Sequence, residues 1–572
     1  MTQPSGWQDT ADTLADELIA VAFEAEPLAP TLLGLDGAHD RLADVSEQAQ
    51  RRTRLRLADI AERAGLLRAT ELGAGDRVTA AVVRQQALAD IDTIDAHAVE
   101  YTVTDLMIGP AAGLLTNLPM ISLPDQGKAE AYLVRLAAIP GYLDASAQRH
   151  REGIEAGRLP VRHLAEAAEA HIGRYLAADT DPLARPQPPE GTDGFDQRRE
   201  RVLAEVVRPA FARYRDVIGA EIAPRGRDQD QPGLCWLPGG ESYYSALVRA
   251  HTTTRREPQE LHDTGVALIE ALGEEYVELG SRVFGTTDRA EIFHRLRTDP
   301  ALRWHDADEV VTTAETAIAR AMAAAPQWFG VIPEQQCEVR PVPEAEAPGA
   351  PPAYYMQPAL DGSRPGIYYA NTYQLGERFR YLAEGTAFHE AVPGHHFQLS
   401  IAQRLRGVPL LRKIGNFNAY TEGWGLYAER LAYDMGLYTD DVARLGMLAN
   451  DSMRAGRLVV DTGLHALGWS RQQAVDYLTA HTPMAAVEIS SEVDRYIAFA
   501  GQALSYMVGR LEIQRLRRAA ERALGGTFDV RAFHDLVLGG GALPLAVLAE
   551  VVEEWVTSQA GESVVGVDHR AD

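Results

Sequence analysis

Helical periodicity runs through most of this chain and restricts it to a mainly α architecture. Residues 8–27 set Leu14, Leu18, Val21 and Ala22 on one stripe with acids opposite, the pattern of an amphipathic helix. Good helix formers (Ala, Leu, Arg, Glu) fill further helical patterns at about 45–69, 77–100, 127–157, 160–178 and 194–220. Helical patterns resume at about 375–404, 418–435, 440–466, 470–480 and 489–524. Pro, Gly and Asp mark long loops at 179–193 and 225–240. A Pro-rich stretch at 341–353 leads into YYMQPALDGSRPGIYYANT, where Tyr and Ile replace the Ala/Leu/Glu pattern and predict a small sheet. No internal repeat, glycine-rich phosphate loop or Gly-x-Ser-x-Gly elbow interrupts this reading.

Composition excludes several classes of function. The chain of 572 residues carries 55 Lys and Arg against 81 Asp and Glu, a net −26, whereas a nucleic-acid clamp needs clustered bases. The first fifty residues hold ten acids and one base, a run best read as a solvated face. Cys235 and Cys337 stand far apart, which rules out a disulfide framework and a thiolate zinc knuckle. The N-terminus shows no basic segment followed by an apolar one, so a cytoplasmic protein is expected. No apolar run reaches the roughly 18 to 20 residues a membrane span needs. LPLAVLAEVVEEW at 543–555 is soon broken by charge.

The stretch TAFHEAVPGHHFQLS concentrates the chemistry. His389, His395 and His396 fall within eight residues, beside Glu390. Histidine is the usual nitrogen ligand for zinc, and a neighbouring glutamate can take a proton from metal-bound water, the logic of His-Glu-x-x-His metalloproteases. The spacing departs from that motif. In an unbroken helix His395 would lie about 240° round and about 9 Å along the axis from His389, and His396 about 10.5 Å along it. Neither could share a metal with His389 at bonds of about 2.0 to 2.1 Å. Pro393 and Gly394 offer the escape, since proline breaks the hydrogen-bond ladder and glycine accepts backbone angles that strain other residues. The sequence thus predicts a helix interrupted or over-wound at 392–394.

A third ligand is expected on a later helix. Glu422 in NAYTEGWGLYAERLAYDMG is the best candidate, because Gly423 and Gly425 let another backbone approach closely. Glu429, seven residues later on the same helical face, is the alternative ligand or a hydrogen-bonding partner of one. Taken alone, Glu422 also fits an acidic first helical turn favoured by the macrodipole.

Three blocks, HEAVPGHH (389–396), EGWGLYAE (422–429) and RYIAFAGQALSY (495–506), resemble the domain of unknown function 885 family. RLVVDTGLH (457–465) and EAEPLAPTLLGLDGAHDRLADVS near the N-terminus are also similar to it, so the likeness spans nearly the whole chain. Ala500 stands where the family pattern has proline. The resemblance implies a mainly helical body around a deep cleft, with a small β-sheet beside the metal-bearing helix. This is the fold of glutamate-type zincins (gluzincins) such as the Taq-type carboxypeptidases and thimet-like oligopeptidases. It further implies His389, His395 and Glu422 as ligands of zinc and Glu390 as base, with GHHFQ favouring His395 over His396.

On that basis the expectation is one helical metallohydrolase-like unit over 1–572, with sub-lobes 1–224 and 225–572, the second catalytic. Tyr496 and Tyr506 are candidate hydroxyl donors to an oxyanion, although buried tyrosine is commonly a core residue with a satisfied hydroxyl. Arg457 and Arg495 could clamp a substrate carboxylate, or pair with one of the many acids. His465 with Asp461 reads as a side-chain pair on one helix, and nothing local sets a role for His251. The preferred function is zinc-dependent hydrolysis of peptide or amide bonds in small, unstructured substrates, without a nucleic-acid or membrane partner. Hydrolysis of a non-peptide amide, and a metal-free binding or scaffold role, are the alternatives.

Overall fold

A computed structural model describes residues 9–67, 71–344, 347, 350–359, 364–415 and 417–565, with side chains to 560. Residues 1–8 of the expected leaderless N-terminus, 68 and 69 of the 45–69 helix, and 360–363 of the strand-like segment lie outside the described residues. Among the described residues helix makes up 70% and strand 3%, which settles the class as mainly α with a small sheet.

Local chemistry sets most helix ends. The first helix is Ala11–Ala25, opened by a capping box on Thr10 and stopped before Pro27, with Leu14, Leu18 and Val21 buried and Ala22 only partly so. The 127–157 pattern divides into Gln126–Ala137 and Ile139–Glu155, because Pro140 can occupy a first turn but not a helix interior. The 489–524 pattern divides likewise into Ala486–Ala498 and Ser505–Leu524 around Gly501, whose φ of 82° glycine tolerates. Helices Gly240–Thr252, Pro258–Val283, Arg289–Thr298 and Ala307–Ala324 occupy a stretch in which periodicity had marked none.

The sheet has strands β1 (Cys337–Pro341), β2 (Ala353–Met356) and β3 (Gly366–Ala370) in the order β1-β3-β2. β3 is central, parallel to β1 (Cys337 opposite Gly366) and antiparallel to β2 (Ala353 opposite Ala370). The expected sheet is present, and β1 is a strand the sequence did not announce. Ala307–Ala324 packs on β1 and β3, and the helix bearing His389 packs on β2.

The main core joins helices before Tyr101 with those after Leu234, while residues 103–223 form a second core of their own. A smaller cluster joins Val161 and Leu164 to residues between Val460 and Ala503 and so ties the two together. Through the main core runs Asp441–His465, buried along most of its 25 residues. Among the described residues no helix is long and apolar enough to cross a membrane.

Candidate metal centre

The His-Glu helix, Ala383–Glu390, ends immediately after its two chemical residues. Ala391 (φ −108°, ψ −98°) and Gly394 (φ −77°, ψ −126°) leave helical geometry, the Val392–Pro393 peptide is cis, and a new helix runs His395–Gln403. A Cβ at position 394 would sit 1.8 Å from the His389 carbonyl oxygen and 2.4 Å from that of Phe388, so only glycine allows the chain to fold back this tightly. The break falls where the spacing required it.

Because of that reversal, the His389 and His395 rings meet edge to face at 4.8 Å between centroids. Glu422 Oε2 lies 3.5 Å from His389 Nε2 and 3.7 Å from His395 Nε2, and donor atoms of the three residues all fall within 4.8 Å of one another. Zinc bonds of about 2.0 to 2.1 Å at tetrahedral angles place neighbouring donors about 3.3 Å apart, close to both nitrogen–oxygen separations. The far nitrogens are already engaged. His389 Nδ1 contacts Glu429 Oε1 at 2.9 Å, and His395 Nδ1 contacts Gln398 Oε1 at 3.2 Å. Carboxylate and amide oxygens only accept, so each Nδ1 carries a proton, and a metal that displaces any proton on Nε2 would find both Nε2 lone pairs turned to the cluster. Two imidazole nitrogens and a carboxylate oxygen therefore fit a zinc ion by donor type and by both nitrogen–oxygen separations.

Charge around the cluster favours a cation. Burial works against a charge on His389, but hydrogen bonds to Glu422 and Glu429 and the nearby Glu390 push its pKa up to about 10. Burial also opposes the charge on Glu422, and the two histidines nevertheless hold its carboxyl well below the usual range. His396 is outside the cluster. Its Nε2 meets the Gln335 carbonyl at 3.0 Å and its Nδ1 the Tyr355 hydroxyl at 2.7 Å, and burial lowers its pKa to about 4. Both its nitrogens are occupied.

Each residue of EGWG has a separate task on the helix Asn418–Asp434. Glu422 is the fifth residue of that helix, past the positions where the macrodipole alone would explain an acid. Gly423 meets the Cα of Gly509 on Ser505–Leu524, where a Cβ would come within 2.5 Å. Trp424, fully buried, donates its Nε1–H to the Pro393 carbonyl at 3.0 Å and so fastens the broken turn. A Cβ at Gly425 would stand 2.6 Å from His389 Cε1, so glycine there gives the imidazole its place. Glu429 is fully buried and accepts from Asn450 Nδ2 at 2.9 Å on its other oxygen. It orients His389 from behind. Glu390 is half-buried and makes no hydrogen bond or ion pair among the described residues.

Other expected site residues lie elsewhere or are engaged. The Tyr496 hydroxyl donates to Glu492 at 2.6 Å and accepts from Arg457 Nε at 3.0 Å, which removes it as a free oxyanion donor. Tyr506 is half-buried beneath the Arg457 guanidinium, 4.5 Å from ring centroid to carbon, and its hydroxyl has no hydrogen-bond partner among the described residues. Arg495 is committed to Glu492 and Gln502. His465 and Asp461 do not pair: the histidine accepts from Leu234 N and meets Tyr496 O, while the aspartate accepts from Tyr244 and Gly501 N. His251 packs edge-on against Phe499, and burial lowers its pKa to about 4. Asn450 and Gln398, which fix the site from behind, were not singled out by the sequence. An asparagine inside the apolar run GMLAND was the available signal.

Fold and site together define a mainly helical protein with a His-His-Glu cluster where a broken helix meets the helix Asn418–Asp434. The family model for a "Bacterial protein of unknown function (DUF885)" matches residues 27–552, and the chain belongs to that family. A crystal structure of a candidate lipoprotein from Colwellia psychrerythraea is 26% identical, with a TM-score of 0.86 over 96% of this chain and 99% of that one. A candidate lipoprotein of unknown function from Shewanella oneidensis, 16% identical, shares the fold with a TM-score of 0.76 over 96% of this chain and 100% of that one. No curated protein matches the sequence.

Proposed function

We propose that the protein is a zinc-dependent hydrolase of peptide or amide bonds in small, unstructured substrates. One observation carries this reading: two histidines with proton-bearing Nδ1 atoms aim Nε2 at the same Glu422 oxygen, 3.5 and 3.7 Å away. His389, His395 and Glu422 would hold a zinc ion there, which would supply a Lewis acid that activates water and polarises the substrate carbonyl. Glu390, adjacent to a ligand and without a competing partner, takes the proton from the attacking water and delivers it to the leaving nitrogen. The Tyr506 hydroxyl is the donor available to the developing oxyanion. Glu429 and Asn450 keep the His389 ring in register throughout. The broken helix beside a three-stranded sheet supports the likeness to Taq-type carboxypeptidases and thimet-like oligopeptidases, which stays part of this proposal, as does the cytoplasmic location.

Metal analysis of protein purified without chelator or histidine tag tests it. Stoichiometric zinc is expected, absent from His389→Ala; Glu390→Gln should keep the zinc and lose turnover of peptide libraries. Zinc-free protein that also fails to take up added zinc would favour the scaffold role instead.

A further inference from the structure

Arg457 is 6% exposed, and its guanidinium is only partly satisfied. Nε donates to the Tyr496 hydroxyl and Nη2 to Glu492, while Nη1, buried, has no partner. Every other guanidinium nitrogen in that condition among the described residues is an Nε; this one is terminal and carries two N–H groups. Leaving them unmet in a buried place is costly, which marks the position as one completed by something else. Arg495 beside it spends its donors on Glu492 and Gln502.

The position is also tied to the metal centre from two helices. Arg457 follows Asn450, the partner of Glu429, by seven residues on Asp441–His465, which is the same face about 10.5 Å along the axis. Tyr506, whose ring supports the guanidinium, precedes by three residues the Gly509 that abuts Gly423, next to Glu422.

We propose that Arg457 Nη1 receives a substrate carboxylate, and that the site takes short peptides by a free C-terminus. A planar carboxylate is the acceptor best matched to two N–H groups of a fixed guanidinium. The binding claim rests on the hydrolase reading only for what happens to the peptide afterwards.

Calorimetry on the full-length chain with N-acetyl-trialanine and with its C-terminal amide separates the possibilities. Zinc-loaded Glu390→Gln serves where the parent cleaves the peptide. The free acid should bind about tenfold more tightly or better, as expected for a hydrogen-bonded charge pair away from water. Arg457→Gln should bring the two peptides to equal affinity and Arg457→Lys should retain part of the preference, a split that a purely structural arginine would not produce. If Arg457→Gln does not fold, the acid and amide on the unsubstituted chain still decide. Equal binding of acid and amide would overturn the proposal even in an active hydrolase. Acid-selective binding without turnover would uphold it while the hydrolase reading fails. An amidated peptide with an internal glutamate provides the third arm: if it binds as tightly as the free acid, a side-chain carboxylate is the group recognised and the C-terminal claim falls.

Discussion

Glu429 and Asn450 show how much of this site is set by residues that never face its ligand. The carboxylate is fully buried between a histidine on one oxygen and an amide on the other, so its orientation is fixed by both contacts. Glu429→Gln replaces one acceptor oxygen by an NH2 that must oppose either the imidazole proton or the Asn450 amide. Zinc affinity should fall about 10- to 100-fold, read by competition with a chromophoric chelator, with the helical content unchanged. Asp461 has a separate consequence. Burial raises its pKa from 3.8 to about 7, against the lowering effect of bonds from Tyr244 and Gly501. The folded protein thus keeps a proton that the unfolded chain gives up, so this residue's contribution falls as pH rises from about 4 to about 7 and is flat above. Asp461→Asn should gain stability relative to the parent across that window, on the order of a few kcal/mol in denaturant titrations; a pH-independent difference would contradict the assignment. His389, His395 and Glu422 were legible because their types are chemically scarce and Pro393–Gly394 announced the break. Asn450 and Gln398 were not, since they act through the back of an imidazole and only the fold brings Asn450 there.

At the scale of elements, the site depends on helices that approach closer than side chains normally permit. Gly509 lies so near the Ala419 carbonyl that a Cβ would stand 1.7 Å from its oxygen, and Gly423 faces it across the same crossing. Both atoms at risk are backbone, so the helices themselves would have to part. Gly509→Ala should cost about 3 kcal/mol or more by overpacking and should weaken zinc binding as well, because Glu422 sits beside the crossing; an unchanged melting temperature would show that the helices are not locked there. The same use of glycine explains why Pro258–Val283 was missed. Its buried stripe includes Gly265, Gly273 and Gly280, and Gly265 lies against Ala455, Leu458 and Val459 of the central helix, so the apolar periodicity is diluted where packing is tightest. Helices with an ordinary leucine stripe, such as Ala11–Ala25, were visible from their first turn to their last. β1 escaped for a different reason: CEVRP is five residues long, and an edge strand with alternating charge offers too few positions for a period of two to be read.

For the whole molecule, the division of cores decides how far the effect of a bound metal can spread. His389, His395 and Glu422 all stand on helices of the main core, whereas residues 103–223 bury their own apolar cluster and meet the rest through Val161 and Leu164, through Ile139–Glu155 packed on Ala98–Tyr101, and through buried bonds of Arg149 to Glu100 and of Arg135 to the Pro27 and Ala38 carbonyls. A ligand that binds only the folded site stabilises whatever unfolds together with it, by about 4 kcal/mol at a thousand times its dissociation constant. If the two cores open as separate units, that gain belongs to the main one alone. Hydrogen exchange followed with and without zinc should then slow in Ala383–Glu390, Asn418–Asp434 and Asp441–His465, and leave Gln126–Ala137 and Ile139–Glu155 at their metal-free rates. Equal slowing in both sets would mean that the contacts between the two cores couple them into one cooperative unit. Slowing in neither would mean that zinc does not bind the folded state at this cluster.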